Sequence, residues 1–180
     1  MRIYAALAVL VIASCTPTPV VVPAPVQIFR DTSAQIASQK DVTAQRMTGT
    51  WHIRQSFAGP PRPATTIAIS QGPNAMLQMT LTSIVCNGDD CGERQSAVFL
   101  SLTGPGRWTP IGAGAGVLGA EIWVMWMDFD SRTATLGTPS GEFGWIMDEN
   151  PTGGRDRIIA ARDIMDWFGY DLTRLEEVNL

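Results

Sequence analysis

Histidine occurs once in this chain, at His52, and cysteine three times, at Cys15, Cys86 and Cys91. So few imidazoles and thiols, so spaced, do not make a zinc site. Charge is scarce too: 17% of residues are charged and the net charge is -4, which gives no electrostatic case for nucleic acid or an anionic membrane surface. A long apolar run is also missing. The stretch Ala5 to Ala13 is shorter than the ~20 residues that a membrane-spanning helix requires. No Gly-x-Ser-x-Gly or comparable nucleophile motif accompanies His52. The carboxylates gather in turns (Asp89-Asp90, Asp128 to Asp130, Asp148-Glu149) or on one helix, where turn and capping roles account for them before acid–base catalysis does. No catalytic residue, cofactor or metal is therefore assigned, and an enzyme is not expected.

What is present is glycine and proline, 17 and 12 of 180 residues, a composition that favours an all-β protein with many turns. The length allows one domain plus a processed leader. Arg2 and the apolar run after it read as a signal segment over residues 1–14. Ile12-Ala13-Ser14-Cys15 resembles a bacterial lipobox, whose cysteine is acylated and becomes the first residue of the mature protein. Lipidation at Cys15 would anchor the chain to a membrane without spanning it. Thr16 stands where an inner-membrane retention signal would show Asp, so the expected place is the periplasmic face of the outer membrane. Residues 15–41 hold a Pro-rich tether, TPTPVVVPAP, and then a mixed segment with room for a short helix around Ala34 to Lys40. In an oxidising compartment Cys86 and Cys91, which flank the turn-forming Asn87-Gly88-Asp89-Asp90, are expected to form a disulfide across a hairpin tip.

Residues 42–180 form the folded domain. Met76 to Cys86 places Leu77, Met79 and Leu81 against Gln78, Thr80 and Thr82, a period of two. Further strands are read at Trp51 to Phe57, Thr65 to Ser70, Ala97 to Leu102, Arg107 to Ile111, Glu121 to Phe129, Thr133 to Gly137 and Phe143 to Met147. Seven or eight strands with short turns predict a barrel or sandwich. Ile158, Ala161, Met165 and Phe168 recur at helical spacing before Gly169, which predicts one amphipathic helix packed on the outside.

Three stretches carry a resemblance to the lipocalin family, in particular to its bacterial and apolipoprotein D-like members. VTAQRMTGTW ends in a Gly-x-Trp signature at Gly49 and Trp51; IWVMWMDFD keeps Asp128 from the turn after the family's sixth strand; and Trp145-Ile146-Met147, Asn150-Pro151, Gly169-Tyr170-Asp171-Leu172 and Leu175 match the last strand and closing helix. One position departs. Glu149 stands where the family's Arg packs over the signature tryptophan, so Trp51 is expected to have another lid, Arg46 or an apolar residue of the C-terminal segment.

The resemblance implies an eight-stranded up-and-down antiparallel barrel with one C-terminal helix outside it, holding a small hydrophobic ligand. It places Trp123 on the ligand side, bringing Met125 with it, while Val124 and Trp126 would face out; alternation adds Met79 to the lumen. Indoles and flexible thioethers suit such a pocket. The expected function is lipid binding or transport by an envelope lipoprotein, with a fatty acid (such as palmitate) or a lysophospholipid as ligand and the lipid anchor as its contact with the membrane. The alternative is a structural or interaction lipoprotein with a filled barrel.

Overall fold

The structure is a computed structural model and describes residues 26–57 and 66–178. The signal segment, Cys15 and the tether up to Pro25 lie outside the described residues. Eight antiparallel strands run up and down: β1 (Gly49–Ser56), β2 (Thr66–Gln71), β3 (Leu77–Asn87), β4 (Asp90–Gly104), β5 (Arg107–Ile111), β6 (Ile122–Met127), β7 (Thr133–Gly137) and β8 (Gly144–Asp148). Each pairs with the next, and β1 pairs with both β2 and β8, which closes the ring. Closure removes the free edges that an open sheet would expose. A two-residue strand, β9 (Glu176–Glu177), lies against Gln55 and Ser56 of β1.

The alternation that marks β3 in the sequence is what the barrel uses: Leu77, Met79 and Leu81 are buried and Gln78 is exposed. By contrast β7 and β8 are buried at every residue, because their outer faces are covered. The cover is helix α2 (Arg155–Trp167), which turns Ala161 and Met165 onto the barrel. Gly169 follows it with φ +83°, the left-handed conformation that ends helices and that glycine adopts without strain.

Residues 26–41 contain neither helix nor regular strand; the segment from Ala34 to Lys40 is not helical, because its backbone is spent on tertiary partners. Phe29 N–H donates to Gly141 O at one end of the barrel, and Gln39 N–H donates to Val124 O further down. This segment therefore belongs to the folded domain. A four-residue helix, α1 (Ala44–Met47), follows it, with the Thr43 side chain accepting from Arg46 N–H.

Two apolar clusters result. One fills the interior and draws on all eight barrel strands. The other is a seam between α2, the N-terminal segment and the outer face of the barrel, built on Phe29, Phe57, Met125, Ile146, Met165 and Tyr170. Cys86 and Cys91 pair across the β3–β4 hairpin in a disulfide, Cα atoms 4.0 Å apart.

Candidate functional site

Every strand of the barrel contributes apolar side chains to the interior, and Ser56, opposite Trp145, adds a buried hydroxyl. Met79, Leu100, Val124, Leu136 and Met147 each turn inward from a different strand and are buried. Among the described residues no group of three or more His, Cys, Asp or Glu is placed to hold a metal. His52 lies on the other face of β1 from Trp51, half-buried, with Nδ1 unpartnered.

The two ends of the barrel differ. At the base, where β1 begins, Trp51 is fully buried and its indole N–H donates to Met47 O at 2.9 Å. Across the interior Trp108 donates to Ala75 O at 3.3 Å. The lid over Trp51 is thus α1 with Met47, Val42 and Ala44, apolar residues that precede the signature. Arg46 is employed elsewhere: it donates to Asp128 O at 2.8 Å and Ser131 Oγ at 2.9 Å and pairs with Asp41. Glu149 sits beside Gly49, whose φ is +146°; this left-handed backbone accounts for glycine in the signature. Asp128 keeps its place because its Oδ1 accepts the backbone N–H groups of Arg132 and Thr133 and so ties the β6–β7 turn.

Beneath α2, also at the base end, Asp148 is fully buried. It accepts from Thr133 Oγ1, from Asn150 N–H and from Arg157 at 2.9 Å. Burial alone would push its carboxyl up; these hydrogen bonds and the Arg157 charge outweigh it and hold the group below the ordinary carboxylate value.

At the mouth, Tyr170 crosses from behind α2 to the β7–β8 connection. Its hydroxyl accepts from Thr138 N–H and lies within 3.1 Å of the Thr138 and Phe143 carbonyl oxygens. Burial pushes its phenol up to about 12. Gly137 passes against this ring so closely that a Cβ there would strike the hydroxyl. The connection so held carries Phe143, whose ring lies 5.0 Å from that of Trp145. Trp145 faces the interior, and its indole N–H is buried without a partner. Sequence reading left Trp145 unplaced; the alternation Trp145-Ile146-Met147 was the signal that could have set it inward.

Of the residues expected in the lumen, Met79 is there. Trp123 and Met125 are not, which corrects the expected phase of β6. Trp123 is on the outer face, with Arg107 5.1 Å above its ring and its N–H donating to Glu121 at 2.7 Å. Met125 packs in the helix seam, and Ile122 and Val124 face inward instead. A bulge between Val124 and Trp126 then puts Met125 and Trp126 on the same outer side. The strand is apolar on both faces, so no polar residue marks which row is solvent-facing.

No protein-family model and no curated protein matches the sequence. Solved structures do match. Apocrustacyanin C1 superposes with a TM-score of 0.58 at 14% identity, over 74% of this chain and 77% of that one. Per a 4, a major allergen from cockroaches, gives 0.59 at 12% identity, over 83% of this chain and 96% of its own. Both are lipocalins. The fold is the lipocalin fold. Lobster apocrustacyanin A1 agrees, with a TM-score of 0.55 at 15% identity over 74% of this chain and 77% of that one. Shared with that fold are the closed eight-stranded barrel and the helix packed against it.

Proposed function

We propose that this chain is a lipid-binding lipoprotein of the cell envelope that holds a small hydrophobic ligand, a fatty acid or a lysophospholipid, inside its barrel. The observation that carries the reading is a barrel interior to which all eight strands contribute apolar side chains, methionines among them, with hydrogen-bonded indoles at the base. Each acyl methylene transferred from water to such a lining contributes roughly 0.8 kcal/mol, so a long chain could bind tightly without a charged anchor. Thioethers of Met79, Met127 and Met147 have the rotamer freedom to move aside. Cys15, acylated, would tether the domain to the periplasmic face of the outer membrane.

A second reading is favoured by one observation. Interior residues such as Ile53, Leu100 and Leu136 are 0% exposed, and Trp145 and Leu81 only 5% and 6%, so the side chains already cover one another. A filled barrel of this kind would serve as a structural or interaction module. Native mass spectrometry of protein from its own host, with titration by a fluorescent fatty acid, separates the two. A retained lipid and saturable binding are expected; a ligand-free protein with no saturable binding would establish the filled barrel. For the anchor, Cys15→Ser should release soluble or unprocessed protein on fractionation, and a variant still processed and wholly membrane-bound would end that part of the proposal.

A further inference from the structure

We infer that the Trp145 indole N–H is the polar anchor of the barrel and that it selects a ligand bearing a neutral carbonyl oxygen, an ester-linked acyl chain above all, at the mouth end. The inference rests on the proposed ligand-binding reading and narrows its ligand class. Three tryptophans contribute to the interior, and their N–H groups differ in one respect. Those of Trp51 and Trp108, at the base, donate to the backbone oxygens of Met47 and Ala75. That of Trp145, at the mouth, is enclosed and has no acceptor.

A buried donor left unpaired is costly, and native proteins rarely keep one without use. Trp145 cannot simply swing to a partner. Its ring is packed against Phe143, whose connection is pinned through Tyr170 to Thr138, and β8 is hydrogen-bonded on both sides, to β1 and to β7. The donor is thus fixed before any ligand arrives, which lowers the ordering cost of using it. Opposite it on β1 stands the small, buried Ser56, and the buried cation at this end, Arg30, lies against the β7–β8 connection with its guanidinium donating to the carbonyl oxygens of Ala34, Pro139 and Phe168. A carboxylate brought there would lose its hydration without a counter-charge. A carbonyl oxygen would accept the hydrogen bond without that cost, its acyl chain lying down the barrel toward Met79.

Three fluorescent polyenes of similar shape test this on the full chain: methyl parinarate, with an ester carbonyl; parinaric acid at neutral pH, with a carboxylate; and diphenylhexatriene, with no oxygen. Trp145→Phe keeps an aromatic ring and deletes the donor together with the pyrrole half of the indole, a packing loss that diphenylhexatriene reports by itself. The variant should weaken methyl parinarate roughly two- to tenfold more than diphenylhexatriene, the size of one neutral hydrogen bond. Trp123→Phe, on the outer face, should change neither. Equal weakening of both probes, or of neither, would overturn the anchor while leaving apolar binding intact. A larger loss for parinaric acid than for its ester would overturn the neutral-carbonyl assignment. Failure of all three probes to bind the unaltered chain would remove the ligand-binding reading itself, and the inference with it. If Trp145→Phe does not fold, the indole resonance of Trp145 in the nitrogen-15-labelled native chain decides: methyl parinarate should shift it downfield and diphenylhexatriene should not, and an unmoved signal at saturation would refute the hydrogen bond.

Discussion

The base and the mouth of this barrel are built from the same residue types and serve opposite ends. At the base, indoles meet backbone carbonyls, Asp128 ties the β6–β7 turn, and Arg46 clamps that turn to the segment before β1. At the mouth, one connection is pinned by Tyr170, while an indole donor is left over. Among the tryptophans of the interior, the two whose N–H groups are satisfied stand at the base and the one left unpaired stands at the mouth, so the two ends differ in what their indoles still have to offer.

If the base is the structural end, damage there should cost stability first. Trp51→Ala empties a fully buried site and is expected to destabilise by about 3–5 kcal/mol, read as a fall in the urea midpoint; a loss under 1 kcal/mol would show that the base is not closed by this indole. Next comes Asp148→Ala, which strands Arg157 beneath α2. Because Arg157 is 17% exposed, the loss should fall somewhat below that of a wholly buried pair, about 2–4 kcal/mol. The same group predicts a pH dependence. Its folded-state pKa is lowered, so its contribution is present above the unfolded value of about 3.9 and is lost as pH falls through the lower folded value. The Asp148→Ala variant should accordingly lose less stability than the native chain between pH 5 and pH 2 in parallel denaturation curves.

The mouth gives smaller effects. Tyr170→Phe removes a hydroxyl with backbone partners on both sides of the β7–β8 connection and should cost about 1–2 kcal/mol. Amide exchange should rise at Thr138 to Phe143 and stay unchanged at the base; a uniform rise would break the distinction between the ends. Replacing Cys86 and Cys91 with Ser opens a small loop on an exposed hairpin, for a loss of about 2 kcal/mol at most, measured by thermal unfolding with and without reductant. The smallest effect is expected of Trp123→Ala, which should leave the affinity for any interior probe unchanged within error. A several-fold loss in that titration would contradict the outward phase of β6.

Much of this was legible in residue patterns. The period of two at Leu77, Met79 and Leu81 located β3 and its inner face, and the helical spacing of Ala161 and Met165 located α2 and the side it buries. Gly49, Trp51 and Asp128 carried the resemblance to lipocalins, and the structure gives each a physical reason. Where the pattern vanished, so did the reading. Ile122 to Met127 is apolar at every position, and the choice between two rows was decided by the bulge at Met125 and by the helix that covers the outer row. Residues 26–41 carried no periodicity because they are held by scattered backbone bonds to distant elements.

By itself the sequence determined the fold class, the closing helix, the cysteine pair and the apolar character of the interior, since each follows from local spacing and from composition. Only the tertiary structure decided which face of β6 looks inward, what seals Trp51 in place of an arginine, and that Trp145 keeps a free donor. Those depend on which groups from distant parts of the chain meet, and a hydrogen-bond partner is a property of a place, which no single residue carries.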